Sequence, residues 1–358
     1  MAKPKIVAFH LPQYHCFKEN DEWWGKGFTE WTNTKSAKPL YKGHYQPKTP
    51  MDDKYYNMLD EETRLWQYDL AKKHGVDAFC YYHYWFDGKL LMEKPLELAL
   101  NDKTDFPFFL CWANEPWTRA WDGGDKEVIM PQVYRGEPDW EAHFNYLLPF
   151  FKLDRYVKID GAPVFVLYRS NNIPRCEEMI EYWDKKCKQA GFNGIYVIEE
   201  YNCFQTQTAT TNSKAVLKFE PMYSMGKRNF FNKVADKIRN KLKNAKNKTN
   251  CSWRNYDQVW KLSLKHDEKT DKTLFYGGFV DFDNTARKKK NGMIFYNASI
   301  EKFKKYLSKQ MRLAEKNGSE FLFLNAWNEW AEGAYLEPDD KRGYGLLSAV
   351  KEVVDGKN

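Results

Sequence analysis

Short apolar runs recur along this chain and are separated by longer stretches with helical periodicity, an alternation that few folds accommodate. Runs rich in β-branched and aromatic residues occupy 6–9, 76–82, 106–112, 164–168, 195–199, 215–219, 273–278 and 321–324. Helical patterns fill most of the intervals, at 60–74, 139–151, 174–190, 256–265 and 299–317, the last closed by Gly318. Repeated strand–helix units predict a parallel sheet. Eight of them in 358 residues predict an α/β fold, a single (β/α)8 barrel spanning 1–358 with a basic insertion at about 225–252.

Aromatic residues make up 17% of the chain, many beside polar residues, which predicts a recognition surface for rings rather than core alone. The net charge of +7 is concentrated: residues 227–248 hold nine Lys or Arg and one acid, Asp236. Such a local excess does not indicate nucleic-acid binding by the whole chain. It predicts a solvated insertion capable of weak contact with an anionic membrane surface. Seven cysteines without a Cys-x-x-Cys pair predict reduced thiols, and the first strand follows Met-Ala-Lys-Pro-Lys directly, so a cytoplasmic protein is expected. No phosphate loop, His-Glu-x-x-His or Gly-x-Ser-x-Gly pattern occurs, so neither a cofactor nor a metal is expected.

In a (β/α)8 barrel the loops after the strands carry the site, and here they are long at 10–50, 113–138 and 220–252. After the last apolar run comes Asn325-Ala-Trp-Asn-Glu-Trp-Ala-Glu-Gly-Ala-Tyr-Leu-Glu-Pro338, which crowds Glu329, Glu332 and Glu337 among indoles and amides. Paired carboxylates beside flat apolar faces are what glycoside cleavage requires. Glu329 and Glu332, three residues apart, face one way if a helix follows Trp327, and each then perturbs the other's ionisation. A helix-capping box from Asn328 to Glu332 is the plainer reading of the same spacing. Other strand ends supply candidate sugar contacts: His10 and Tyr14, then Tyr82, His83 and Trp85, then Trp112, Asn114, Glu115 and Trp117. Glu220, Tyr223, Asp281, Trp327, Asn328 and the loop residue Trp31 complete the set.

Five ordered motifs resemble the WbsX-like proteins of bacterial surface-polysaccharide loci: Ile6-Val-Ala-Phe-His-Leu-Pro-Gln-Tyr-His15, Trp23-Trp-Gly-Lys-Gly-Phe-Thr-Glu-Trp-Thr32, Gly43-His-Tyr-Gln-Pro47, Trp112-Ala-Asn-Glu-Pro-Trp-Thr118 and Asn325-Ala-Trp-Asn-Glu-Trp-Ala-Glu-Gly333. Those proteins are similar to glycoside hydrolase family 99, the endo-α-mannosidases and endo-mannanases. The resemblance implies a retaining hydrolase acting on an α-linked, mannoside-like glycan through a 1,2-anhydro sugar. It implies that Glu329 deprotonates the 2-hydroxyl and Glu332 protonates the leaving oxygen. Ala331 stands where that family usually has His.

The substrate expected is a polysaccharide, an oligosaccharide or a lipid-linked precursor. Two rival readings remain. A glycosyltransferase of O-antigen or capsular polysaccharide synthesis would draw on Asp281-Phe-Asp283, which has metal-motif spacing but no companion nucleotide-binding domain. A non-catalytic glycan-binding barrel would need the aromatics without the acid pair.

Overall fold

A computed structural model of the chain describes residues 3–119, 124–265, 268 and 270–357, with the backbone alone described at 124–126. Part of the loop predicted at 113–138, residues 120–123, lies outside the described residues. Eight parallel strands close on themselves: β1 (Lys5–His10), β2 (Ala78–Phe86), β3 (Phe108–Trp112), β4 (Ala162–Leu167), β5 (Tyr196–Tyr201), β6 (Ala215–Lys218), β7 (Thr273–Phe279) and β8 (Phe321–Asn325). The ring shuts at β1, where Lys5 pairs with Phe321 of β8 and Val7 with Ala78 of β2. The chain is a (β/α)8 barrel, and every predicted strand is present.

Helices Glu61–Lys73, Glu137–Phe151, Cys176–Gln189, Tyr256–Ser263 and Ile300–Lys316 fall where the periodicity placed them. The last buries Phe303, Leu307, Met311 and Ala314, a three-to-four-residue spacing that lays one face on the barrel. Ser299 caps its start by accepting the Lys302 N–H, and Gly318 leaves it at φ 69°. Several short helices and two longer ones had no matching expectation. Gly345–Val354 closes the chain with Leu347 and Val350 buried, and Phe230–Asn247 lies within the basic segment. Among the described residues no helix is long and apolar enough to cross a membrane.

Most of the aromatic residues belong to the core, and the recognition surface expected for rings takes a smaller share of them. Phe109 of β3 reaches Phe323 of β8 across the lumen at 5.9 Å between ring centroids, and Phe275 of β7 meets Phe321 at 5.4 Å. Trp112, Trp183, Trp260 and Trp327 are fully buried. Rings of this size fill the barrel by area and edge-to-face contact. All seven cysteines are free thiols, five of them buried, and these pack as small hydrophobes.

Strand β7 approaches β6 so closely at Gly277 that a Cβ there would lie 2.1 Å from the Lys218 carbonyl oxygen. Backbone cannot yield as a flexible side chain would. Gly277→Ala is therefore expected to cost about 1–3 kcal/mol of stability by overpacking, measured by urea unfolding. An unchanged midpoint would show that the two strands separate freely.

Candidate active site

Directly after β8 the chain forms no α-helix, contrary to the geometry expected for the glutamate pair. Asn328–Glu329 instead pairs antiparallel with Ala334–Tyr335 around a single 3-10 turn, Trp330–Glu332. Glu329 immediately precedes that turn and Glu332 is its last residue, and both still face one cation, Arg287. Gly333 ends the turn at φ 64°, and a Cβ there would lie 2.8 Å from Lys48 Cε and 3.2 Å from the Asp283 backbone nitrogen. That crowding ties the turn to the loop after β7, where the Asp283 N–H donates to the Glu332 carbonyl at 2.7 Å.

The same loop carries Arg287, on the short helix Thr285–Lys288. Its guanidinium donates to Glu332 at 2.6 Å, to both oxygens of Glu30 at 2.9 Å and to Glu329 at 3.4 Å. Glu30 begins the helix Glu30–Ser36 in the loop after β1, is fully buried and accepts the Ala331 N–H at 2.9 Å. Three carboxylates therefore share one buried cation. Burial pushes the Glu329 carboxyl up, and the neighbouring Glu332 pushes it further. Burial raises Glu332 too, against the pull of Arg287. Arg287 itself is held protonated by the three acids, against the cost of its own burial. Neither Glu30 nor Arg287 was among the sequence candidates. Glu30 lies inside the Trp23–Thr32 motif, whereas Arg287 carries no local signal.

A cleft of about 420 Å³ opens over this cluster, with Glu329, Glu332, Arg287 and Asn325 on one side and Glu115, Trp117 and Tyr168 among its other walls. Of the candidate contacts, Tyr82, Glu115 and Trp117 line it together with the two glutamates. Tyr84, Tyr168 and Phe219 also line it and were not anticipated. Tyr84 meets Trp117 edge to face at 5.4 Å, and Trp117 in turn lies 5.8 Å from Trp23. Glu115 is paired with Arg169.

The remaining candidates do not reach the cleft, and strand alternation explains several. In β2, Tyr82 and Tyr84 face the cleft, so His83 and Trp85 point outward beneath the helix Glu137–Phe151. There His83 lies 2.8 Å from His143, while Trp85 stacks on His143 at 4.6 Å and donates to Asp139. His10 points outward to Gln67 at 3.1 Å, and burial pulls its pKa down to about 3, as it does for His83. Trp112 donates to the Trp85 carbonyl, Trp31 to the Tyr56 carbonyl, and Tyr14 to the Asn328 carbonyl. Trp327 is buried against Phe79 at 4.9 Å. Glu220 is buried and accepts from the Ser224 hydroxyl at 2.7 Å, and Tyr223 is buried beside Tyr201. Asp281 lies in a neighbouring cleft, 3.5 Å from Arg342. Its partner Asp283 faces His44 at 2.8 Å, and that imidazole and Lys48 hold it ionised despite burial, with a pKa of about 2. Both carboxylates of Asp281-Phe-Asp283 thus already face cationic side chains.

Asn114 and Asn328 brace the glutamates that follow them. The Asn328 amide accepts from the Leu11 N–H at 2.8 Å and donates to the Leu11 carbonyl at 3.0 Å. Asn114 makes the same pair of bonds to Arg169, both at 2.8 Å. Each amide extends main-chain pairing to the neighbouring strand's loop, fixing the backbone just before Glu115 and Glu329. This also replaces the capping role considered for Asn328.

The fold and cleft define a (β/α)8 barrel with an acidic, aromatic-walled site at the C-terminal ends of its strands, the usual place in this architecture. The chain belongs to the family described as glycosyltransferase WbsX, which it matches over residues 6–350. It is 32% identical over 354 residues to the uncharacterized protein WxcX of Xanthomonas campestris pv. campestris, covering 98% of this chain and 49% of the relative. The chain thus spans about half the length of the curated relatives it matches. Among solved structures, a glycoside hydrolase-like protein superposes with a TM-score of 0.61 at 12% identity, covering 98% of this chain and 94% of that one. The GH99 endo-alpha-mannosidase from Bacteroides thetaiotaomicron superposes with a TM-score of 0.54 at 13% identity, covering 98% and 97%. At these identities the likeness is one of fold.

Proposed function

We propose that this chain is a retaining glycoside hydrolase acting on an α-linked, mannoside-like polysaccharide or oligosaccharide, or on its lipid-linked precursor. The observation that carries this reading is the convergence of Glu329 and Glu332 on Arg287 in an aromatic-walled cleft at the strand ends. Glu329 takes the proton of the sugar 2-hydroxyl as that oxygen attacks the anomeric carbon. Glu332 gives its proton to the departing glycosidic oxygen. Water then opens the 1,2-anhydro sugar, restoring the original anomeric configuration. Tyr82, Tyr84 and Trp117 offer flat faces to the sugar, and Glu115 a hydroxyl acceptor.

The protein's own field sets a condition on these roles. Arg287 is closer to Glu332 than to Glu329, so the pair's shared charge favours Glu332 and its proton favours Glu329. The proton must therefore pass to Glu332 as the 2-hydroxyl engages Glu329. In a coupled pair so close together this is a redistribution of one proton rather than a change in net ionisation.

A second reading, transfer from an activated sugar during surface-polysaccharide synthesis, is favoured by the family's description. Its Asp281-Phe-Asp283 motif is supported less, since both side chains face Arg342, Lys48 and His44. The two readings part in one experiment: α-mannosides, fucosides and rhamnosides are offered alongside nucleotide sugars, and the first anomer released is followed by NMR. Hydrolysis with retention is expected, and a 2-deoxy substrate should resist cleavage. Turnover of nucleotide sugars alone, or release of the inverted anomer, would overturn the hydrolase reading; binding without turnover of either would leave a glycan-binding barrel.

A further inference from the structure

The helix Phe230–Asn247 is built inside out. Helices of globular proteins turn an apolar stripe to the core and polar residues to water. Here the inward face is polar. Buried Asp236 accepts from Arg228 at 2.7 Å and from Arg239 at 2.6 Å. Asn240 accepts the Trp253 N–H at 3.0 Å, and Asn244 accepts from the Trp253 indole at 2.8 Å and donates to the Cys251 carbonyl at 3.0 Å. Lys243 lies over the rings of Trp253 and Tyr296, at 4.9 and 4.3 Å. The outward face carries Phe231, Val234, Ile238 and Leu242, spaced by three and four residues on one side of the helix, with Phe230 beside them. Phe230 and Phe231 are 73% and 80% exposed, and Ile238 and Leu242 59% and 67%. Lys233, Lys237 and Lys241, all exposed, flank this stripe on one side and Lys246 on the other.

We propose that this helix is a membrane-docking element that lies in the plane of an anionic phospholipid surface, its apolar stripe among the acyl chains and its lysines among the headgroups. Charge complementarity selects this occupant. The segment 227–248 carries nine basic residues against one buried acid that is already matched by arginines. A second copy of the chain would bring the two lysine rims together, whereas an anionic bilayer neutralises them. An apolar face with a basic rim and low overall hydrophobicity is the pattern of an interfacial helix rather than a spanning one. The helix hangs from the loops after β6 and β7. The segment that follows it bonds the second of these through the Asn250 N–H to the Lys290 carbonyl at 2.8 Å, and strand Ser252–Asn255 pairs with Met293–Tyr296. Arg287 belongs to that same loop, so docking brings the cleft's end of the barrel to the headgroup layer.

Co-sedimentation with vesicles tests this on the full chain. The native protein is expected to sediment with phosphatidylglycerol–phosphatidylcholine vesicles at least tenfold better than with phosphatidylcholine alone, since attraction to the anionic leaflet accumulates per basic residue. A triple variant, Phe231→Ser, Ile238→Ser and Leu242→Ser, keeps every charge and removes only exposed side chains. It should stay folded by circular dichroism yet bind at least tenfold less. Lys233→Gln with Lys237→Gln and Lys241→Gln should abolish the preference for the anionic lipid. Undiminished binding by the serine variant, or equal binding to both vesicle types, would overturn the proposal. So would a native dimer in solution that the serine variant dissociates, without vesicle binding by either protein.

Discussion

Glu332→Gln is expected to slow hydrolysis of an unactivated α-glycan by roughly 10²–10⁴, the scale on which a positioned acid or base contributes. Aryl glycosides with good leaving groups should recover much of that loss, because their departing oxygen needs little protonation. Glu329→Gln is expected to remain inactive on both substrate types, since the 2-oxygen cannot attack while it keeps its proton. The contrast follows from the roles proposed, and steady-state kinetics on the two substrate types reads it out. Rescue of Glu329→Gln instead would reverse the assignment and agree with the proton preference that Arg287 imposes. Equal rescue of both, or of neither, would argue that the glutamates act only by charge.

Arg287→Met is expected to be the most destabilising change in the site. It leaves Glu30, Glu329 and Glu332 facing one another without the guanidinium they share. Removing one partner from buried charges costs about 3–5 kcal/mol. The cost should depend on pH with a definite sign. Without the guanidinium the carboxyls of Glu329 and Glu332, already raised, rise further above their unfolded values. The folded state then binds more protons than the unfolded one. The variant should therefore come closest to native stability near pH 4–5 and lose ground steadily as pH rises through neutrality. Urea unfolding at several pH values measures this, and a pH-independent difference would show that the cation acts only through packing. The acid limb of any remaining activity should also shift to higher pH.

The barrel was legible because its strands are continuous apolar runs, buried on both faces, with no competing reading of comparable length. Phase within a strand was harder. The run Tyr81-Tyr-His-Tyr-Trp85 reads as a loop of mixed candidates only if the strand stops at Tyr82. It continues to Phe86 and pairs with Lys89–Leu91, so alternation sends Tyr82 and Tyr84 inward and His83 and Trp85 outward. Applied to the longer strand, period two would have found Tyr84. Arg287 and Glu30 could not be found in that way, because loops have no period and their meeting depends on how two distant loops fold over the barrel mouth. The charge of 227–248 was visible in composition, yet its apolar stripe acquires meaning only once the polar side of the helix is seen to face the protein.

The amide braces at Asn114 and Asn328 each grip a neighbour's main chain, the N–H and carbonyl of Arg169 and of Leu11, and each also donates to a tyrosine hydroxyl, Tyr134 at 2.9 Å and Tyr56 at 3.3 Å. The backbone that carries Glu329 is therefore held independently of the Leu11 side chain. Leu11 itself lines the cleft, and its side chain can be exchanged without loosening the bond that holds its backbone. On the proposed function, what the cleft wall presents at Leu11 and how Glu329 is held are thus separately adjustable. On that reading a lineage with this mouth can explore new sugars through the side chain at position 11, while Glu329 keeps its bearing.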